Sequence, residues 1–203
     1  MSIDTASLEI RALIYKLVSV GFLYPDEEWQ KRMSGLIREF YQMENHSHTL
    51  DFENNITGIN KILLSFSVDK KVLEELQAEH FRLFGPDPLC PLEISHWTKG
   101  SNIFMQPRQM AEMAGFYKAF GLDMSENLEV DNLSVAFEFL SYLCLKLLNA
   151  LNKCDDDNAE ITEKAIDSFR IEFVLPGLKN FVESIKTNSK TGFYKELGEL
   201  AQK

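Results

Sequence analysis

Apolar residues recur along this chain with the period of an α-helix. Ile10, Leu13, Ile14, Leu17 and Val18 fall at i, i+3, i+4, i+7 and i+8, one stripe of a helix that Gly21 and Pro25 stop. Trp29, Met33, Leu36, Ile37 and Phe40 predict a second helix, and the polar stretch Glu44 to Thr49 a loop. Phe52, Ile56, Ile59, Leu63 and Phe66 predict a third helix; Val72, Leu73, Leu76, His80, Leu83 and Phe84 predict a fourth, closed by Gly85. Helical spacing resumes after Pro107 with Met110, Met113, Ala114 and Tyr117, and Gly121 ends it. Asp131 is the expected N-cap of a long helix to about Asn152, apolar on most sides and therefore central. Asp157 with Glu160 reads as an acidic capping box for a helix through Phe169. Pro176 opens or kinks the next, and Phe193, Tyr194, Leu197 and Leu200 form a short terminal one. No run alternates with period two, so no strand is expected. The fold class is all-α, one helical bundle of eight or nine helices over residues 1–203.

One stretch breaks the pattern. Gly85 to Trp97, GPDPLCPLEISHW, holds three of the six prolines, which remove backbone donors and restrict their neighbours. It also carries Leu89, Leu92, Ile94 and Trp97, too apolar for a solvated linker. A loop with that content packs against something or binds something, so residues 85–97 are the expected functional loop.

Composition narrows the function. With 21 Lys plus Arg against 31 Asp plus Glu, the formal charge is −10. That argues against nucleic acid, which needs a basic face to release counterions, and for cationic partners. The cysteines Cys90, Cys144 and Cys154 are odd in number and widely spaced, which argues against a disulfide framework or a zinc site. The start lacks a basic region followed by an apolar run, and no eighteen consecutive residues are apolar. The expectation is a cytoplasmic, reduced protein.

Tests for chemistry leave little. Glu93-Ile94-Ser95-His96 spells E-x-x-H but has no second copy, which a di-metal site needs. Ser95 and His96 are neighbours, and adjacent residues of an extended segment point opposite ways. Lys153 to Asp157 only faintly resembles a calcium loop, with Ile166 where a bidentate Glu is required. His46 and His48 read as surface residues, and Met110 and Met113 as core. Glu138, between Phe137 and Phe139, is either on the exposed side or held by a partner. No catalytic residue, metal or cofactor is assigned.

The order of segments says more. Glu79-x-x-x-Leu83-Phe84-Gly85-Pro86, then Pro91-x-Glu93-x-Ser95-x-Trp97, resembles the signature of the TorD/DmsD/NarJ family of redox-enzyme maturation chaperones. The similarity continues through Phe116-Tyr117-x-x-Phe120-Gly121-Leu122, Asp131-Asn132-Leu133, Glu138-Phe139-Leu140, Leu175-Pro176 and Phe193-Tyr194-x-x-Leu197, and takes in Leu23-Tyr24-Pro25-Asp26. Two departures stand out. Asn132 replaces the family's usual His, and Glu172 or Phe173 stands where the family often has an aromatic before the late Leu-Pro.

The resemblance implies a TorD-like helical fold without enzymatic turnover. It implies a cytoplasmic chaperone that binds the leader peptide, usually twin-arginine, of a molybdopterin-containing reductase or dehydrogenase catalytic subunit, or the apo subunit itself. Binding would assist cofactor insertion and delay export. On this resemblance Glu93, Ser95, Trp97, Tyr117, Gly121, Asp131 and Asn132 are the expected client-binding residues. Trp97 would anchor apolar groups, Glu93 and Asp131 would face the basic end, and Gly121 would permit close approach or a tight turn. The expectation is an apolar, acid-rimmed cleft beside the proline-rich loop. Two other readings are a helical metal-dependent hydrolase using His80, His96 and Glu93, and an acidic adaptor for another protein.

Overall fold

The computed structural model describes residues 4–43, 50–66, 70–98, 106–123 and 129–203. Residues 44–49, expected to form a loop, lie outside them. The described residues form α1 (Thr5–Gly21), α2 (Glu27–Gln42), α3 (Leu50–Phe66), α4 (Lys70–Phe84), the single turn α5 (Ile94–Trp97), α6 (Gln106–Ala119), α7 (Leu133–Asn152), α8 (Asp156–Phe169), α9 (Leu175–Asn188) and α10 (Gly192–Gln202). A π-helical turn, Arg170–Val174, joins α8 to α9. Nine of the helices have eleven residues or more, and no strand occurs among the described residues.

Four helices, α1, α2, α7 and α8, start where a side chain answers a free N–H group. Asp26 accepts from Trp29 N at 2.7 Å and opens α2. The cap of α7 is Asn132, one residue beyond the expected Asp131; its Oδ1 accepts from Ser134 N at 2.9 Å. That shift frees Asp131 for a different bond. Likewise Asp155, not Asp157, caps α8, accepting from Asn158 N at 3.2 Å, and Asp157 is already helical. Between α8 and α9 the chain widens into the π turn without leaving the helical path. Pro176 follows in the first turn of α9, where it has no N–H to offer Glu172 O and crowds that carbonyl.

α7 lies at the centre, with α1 antiparallel to it. The pairing is pinned by two serines: Ser134 Oγ donates to Ser19 O at 2.7 Å, and Ser141 Oγ to Ala12 O at 2.8 Å. By length and composition α7 could cross a membrane, but two-thirds of it is buried inside this bundle. Cys144 packs within it as an apolar residue, and burial pushes its thiol up to about 11. α8 covers a second side of α7, while α10 packs on α3, α9 and α1. Trp29 anchors α2 to α1 through Nε1 donating to Val20 O at 2.8 Å and stacks edgewise on Phe193 of α10.

Candidate functional site

The proline-rich segment does not hang free. Cys90 N donates to Leu83 O at 2.9 Å and turns the chain back along α4. Glu93 and Asn132 form an isolated antiparallel bridge, with Ile94 N donating to Asp131 O (2.9 Å) and Leu133 N to Leu92 O (2.8 Å). The segment therefore pairs with the chain just before α7, and α5 follows as one helical turn. The expectation that this stretch lacks regular helix holds up to Glu93, and fails for Ile94 to Trp97.

This pairing gathers most of the expected site residues. Ser95 Oγ donates to Asp131 Oδ2 at 2.5 Å. Tyr117 Oη, from α6, donates to Val130 O at 2.9 Å. Asp131, Ser95 and Tyr117 keep only 4%, 7% and 1% of their surface. They are fasteners, each answered inside the chain, which is how a buried carboxylate and hydroxyl are tolerated. Burial, and then the Asp131 charge, push the Tyr117 phenol well above its ordinary range. Trp97 is half-buried; its Nε1 donates to Pro91 O at 2.8 Å, its ring meets Phe181 edgewise, and its carbonyl accepts from Asn180 Nδ2 at 2.8 Å. The seam bounded by Leu92, Ile94, Trp97, Leu133, Leu178 and Phe181 has no room for a water molecule. The expected cleft is thus absent at this seam, because α9 fills the space under the loop.

Glu93 and Asn132 remain partly exposed beside this closed seam. Gly121 stands apart, exposed at the end of α6 with φ +82°, where Leu122 N reaches back to Tyr117 O at 2.9 Å. It serves the turn expected of it. Tyr142 Oη of α7 donates to Phe120 O at 3.0 Å and ties that turn to the central helix. His80 is half-buried with Nε2 against Phe22 O, while His96 is exposed and stacks on Trp97. Among the described residues no three His, Cys, Asp or Glu groups could hold a metal.

Sequence reasoning missed three participants. Gly177 is one: a Cβ there would sit 2.7 Å from Ile94 O and 3.3 Å from Trp97 Cβ. The obstacle is backbone, so Gly177→Ala is expected to lever α5 off α9 and destabilise the fold by about 1–3 kcal/mol, read by urea unfolding. Asn180 is the second, through its bond to Trp97 O. The third is Glu129. Burial, then the neighbouring Glu93 and Asp131 charges, raise its carboxyl above the ordinary value. A carboxyl raised on folding contributes stability at acid pH that is lost as pH rises through the folded value. Glu129→Gln is therefore expected to melt higher than the native chain at neutral pH, the difference closing on acidification. Equal melting temperatures across that range would exclude the repulsion.

The missing aromatic before Leu175-Pro176 is supplied by Phe173. It is buried and packs on Phe116 and Phe169 with centroids 5.5 and 5.3 Å apart, while Glu172 faces solvent.

Comparison with known proteins gives two findings. A family model described as nitrate reductase delta subunit matches residues 45–183, which include the proline-rich segment, Asp131 and α7. The crystal structure of a protein from Archaeoglobus fulgidus described as a redox enzyme maturation protein superposes with TM-score 0.57 over 94% of this chain and 91% of that one, at 22% identity. At that identity the likeness concerns the fold. No curated protein matches.

Proposed function

Because the chain belongs to the nitrate reductase delta subunit family, we propose that it is an assembly chaperone for a molybdenum-cofactor oxidoreductase. In this reading it works in the cytoplasm without catalytic turnover. It binds the N-terminal leader of the catalytic subunit, twin-arginine where the client is exported, or the apo subunit, and releases it after cofactor insertion. The observation that carries the reading is the family match over more than half of the chain, through the segments whose order resembles the TorD/DmsD/NarJ signature. The helical fold shared with the Archaeoglobus protein and the acid excess of this chain support it.

The physical chemistry suits the role. A leader offers a basic start and about 7–15 apolar residues. Each large apolar side chain it buries contributes about 1.5–3 kcal/mol, whereas an exposed carboxylate–Arg pair contributes about 0–1 kcal/mol. Ordering the free peptide costs about 2–5 kcal/mol. A few apolar anchors therefore give a micromolar, releasable complex near −8 kcal/mol, and the carboxylates set orientation and speed encounter. Glu93, Trp97 and Asn132 are the accessible members of the proposed client face, and Gly121 shapes the turn at the end of α6 apart from it. Ser95, Tyr117 and Asp131 hold that face in shape.

The test is the client itself. In a strain lacking this gene, the catalytic subunit of the partner oxidoreductase is expected to accumulate with little molybdenum, measured by mass spectrometry on the purified subunit. Full metal loading without the gene would end the proposal.

A further inference from the structure

Acidic side chains outnumber basic ones by ten in this chain, yet one cavity is lined by arginines and by no acidic side chain among the described residues. It encloses about 410 Å³ between α1, the start of α3, the π turn and the end of α10. Ser7, Ile10, Arg11, Ile14 and Tyr15 reach it from one face of α1, at i, i+3, i+4, i+7 and i+8. Arg170, the first residue of the π turn, lines it too, and Phe52 and Leu200 complete its apolar walls. Turns of π-helix recur at functional sites. Ser134, close to the proline-rich pairing, meets Ser19, four residues past Tyr15 and twelve past Ser7. The cavity therefore lies away from the proline-rich face.

Arg11 and Arg170 are both partly buried, and neither has an ion pair among the described residues. Arg11 donates through Nη2 to Tyr15 Oη at 3.5 Å. With its oxygen accepting, Tyr15 keeps its own hydroxyl proton to donate. Asp167 acts on the Arg11 charge only from beyond ion-pair distance. Elsewhere in this chain arginines are answered directly, Arg82 by Glu79 and Arg108 by Glu112. Two guanidiniums on the wall of one cavity without such an answer call for an anion, since a charge drawn out of water is costly unless paired.

We propose that this cavity binds a small organic acid, a carboxylate head on a compact apolar body. A guanidinium presents its N–H donors in a fixed fork that matches a carboxylate bidentately. Arg11 and Arg170 take the head, with the Tyr15 hydroxyl as a further donor. Ile10, Ile14, Phe52 and Leu200 take the body. The volume falls within the range of ligand pockets, about 300–1,000 Å³, whose walls are mostly apolar with a few placed polar groups. The head has the opposite charge to the start of a leader peptide, so this site is separate from client binding and does not depend on the chaperone reading.

The probes are octanoate and 3-phenylpropionate, with octanamide as the uncharged control, added to the full chain during thermal unfolding. A ligand of this size is expected to bind with a dissociation constant of about 0.1 mM. At about 10 mM, a hundredfold excess, either acid should raise the melting temperature by about 5 °C or more, and octanamide should do little. Arg11→Gln and Arg170→Gln are each expected to weaken octanoate binding about 10-fold or more. Arg170→Lys keeps the charge and loses the fork, so an intermediate loss is expected, and it supplies the reading should a glutamine variant fail to fold. No shift with either acid, an equal shift with octanamide, or equal shifts in the native chain and the arginine variants overturns the site. A peptide of Asp, Glu and Phe that binds at these arginines where neither acid does would assign the cavity to a protein partner and likewise overturn the small ligand.

Discussion

Glu79→Ala is expected to lower the stability of the chain by about 3–5 kcal/mol. Glu79 is 5% exposed on α4, and every oxygen is in use. It takes two bonds from Arg82, Nε to Oε2 and Nη2 to Oε1, both at 2.9 Å. Oε1 also accepts from Ser189 Oγ at 3.2 Å and from Lys190 N at 2.5 Å. Arg82 in turn donates to Asn188 O at 2.6 Å, the last residue of α9. One carboxylate thus fastens α4 to the corner between α9 and α10. Removing it leaves a half-buried guanidinium with Asn188 O alone and takes the acceptor from the Lys190 N–H, and both then bear a desolvation cost, while Ser189 Oγ keeps Thr191 O at 3.0 Å. Glu79→Gln keeps the size but offers one acceptor oxygen, so an intermediate loss is expected. Urea midpoints for the three chains, at unchanged slope, check the order. An alanine variant within 1 kcal/mol of native would mean that water replaces the carboxylate.

Phe169→Ala is expected to cost about 3–5 kcal/mol. Phe169 is fully buried at the end of α8. Its ring centroid lies 4.8 Å from Phe139 of α7, 5.6 Å from Phe116 and 5.7 Å from Tyr117 of α6, and 5.3 Å from Phe173 of the π turn. Most of these contacts are edge-to-face or tilted, the arrangement that aromatic quadrupoles favour. The cavity left behind is walled by other rings that cannot collapse into it without abandoning their own partners. Because α6 meets the bundle through this cluster and Tyr117, the loss should be local as well as global. Amide exchange in α6 should accelerate beyond what the overall destabilisation explains. Uniform acceleration throughout the chain would deny the cluster that special hold on α6.

Much of the site was legible as residues and little of it as geometry. Glu79, Glu93, Ser95, Asp131 and Asn132 all stood out in the order of segments, and the structure gives each a defined partner. The chain pattern could not say that Asp131 faces Ser95 while Asn132 takes the cap. Either residue type caps a helix, and only the bridge of Glu93 to Asn132 fixes which is free. Nor could it say that α9 closes the seam beneath Trp97, since the fit depends on Gly177 and Ile94, eighty-three residues apart.

Helix content, helix order and the core stripes follow from the sequence alone, because a 3.6-residue period and the stop signals at Gly and Pro act over a few residues. The central place of α7 follows too, since a helix apolar on most sides must be covered on most sides. The acid excess and the proline-rich break are likewise local facts. Which carboxylates are fasteners and which face solvent was settled only in three dimensions. So was the position of the arginine-lined cavity, between α1, α3, the π turn and α10 and away from the proline-rich segment. Burial and charge pairing are relations between residues far apart in the chain, and no window along the sequence contains both partners.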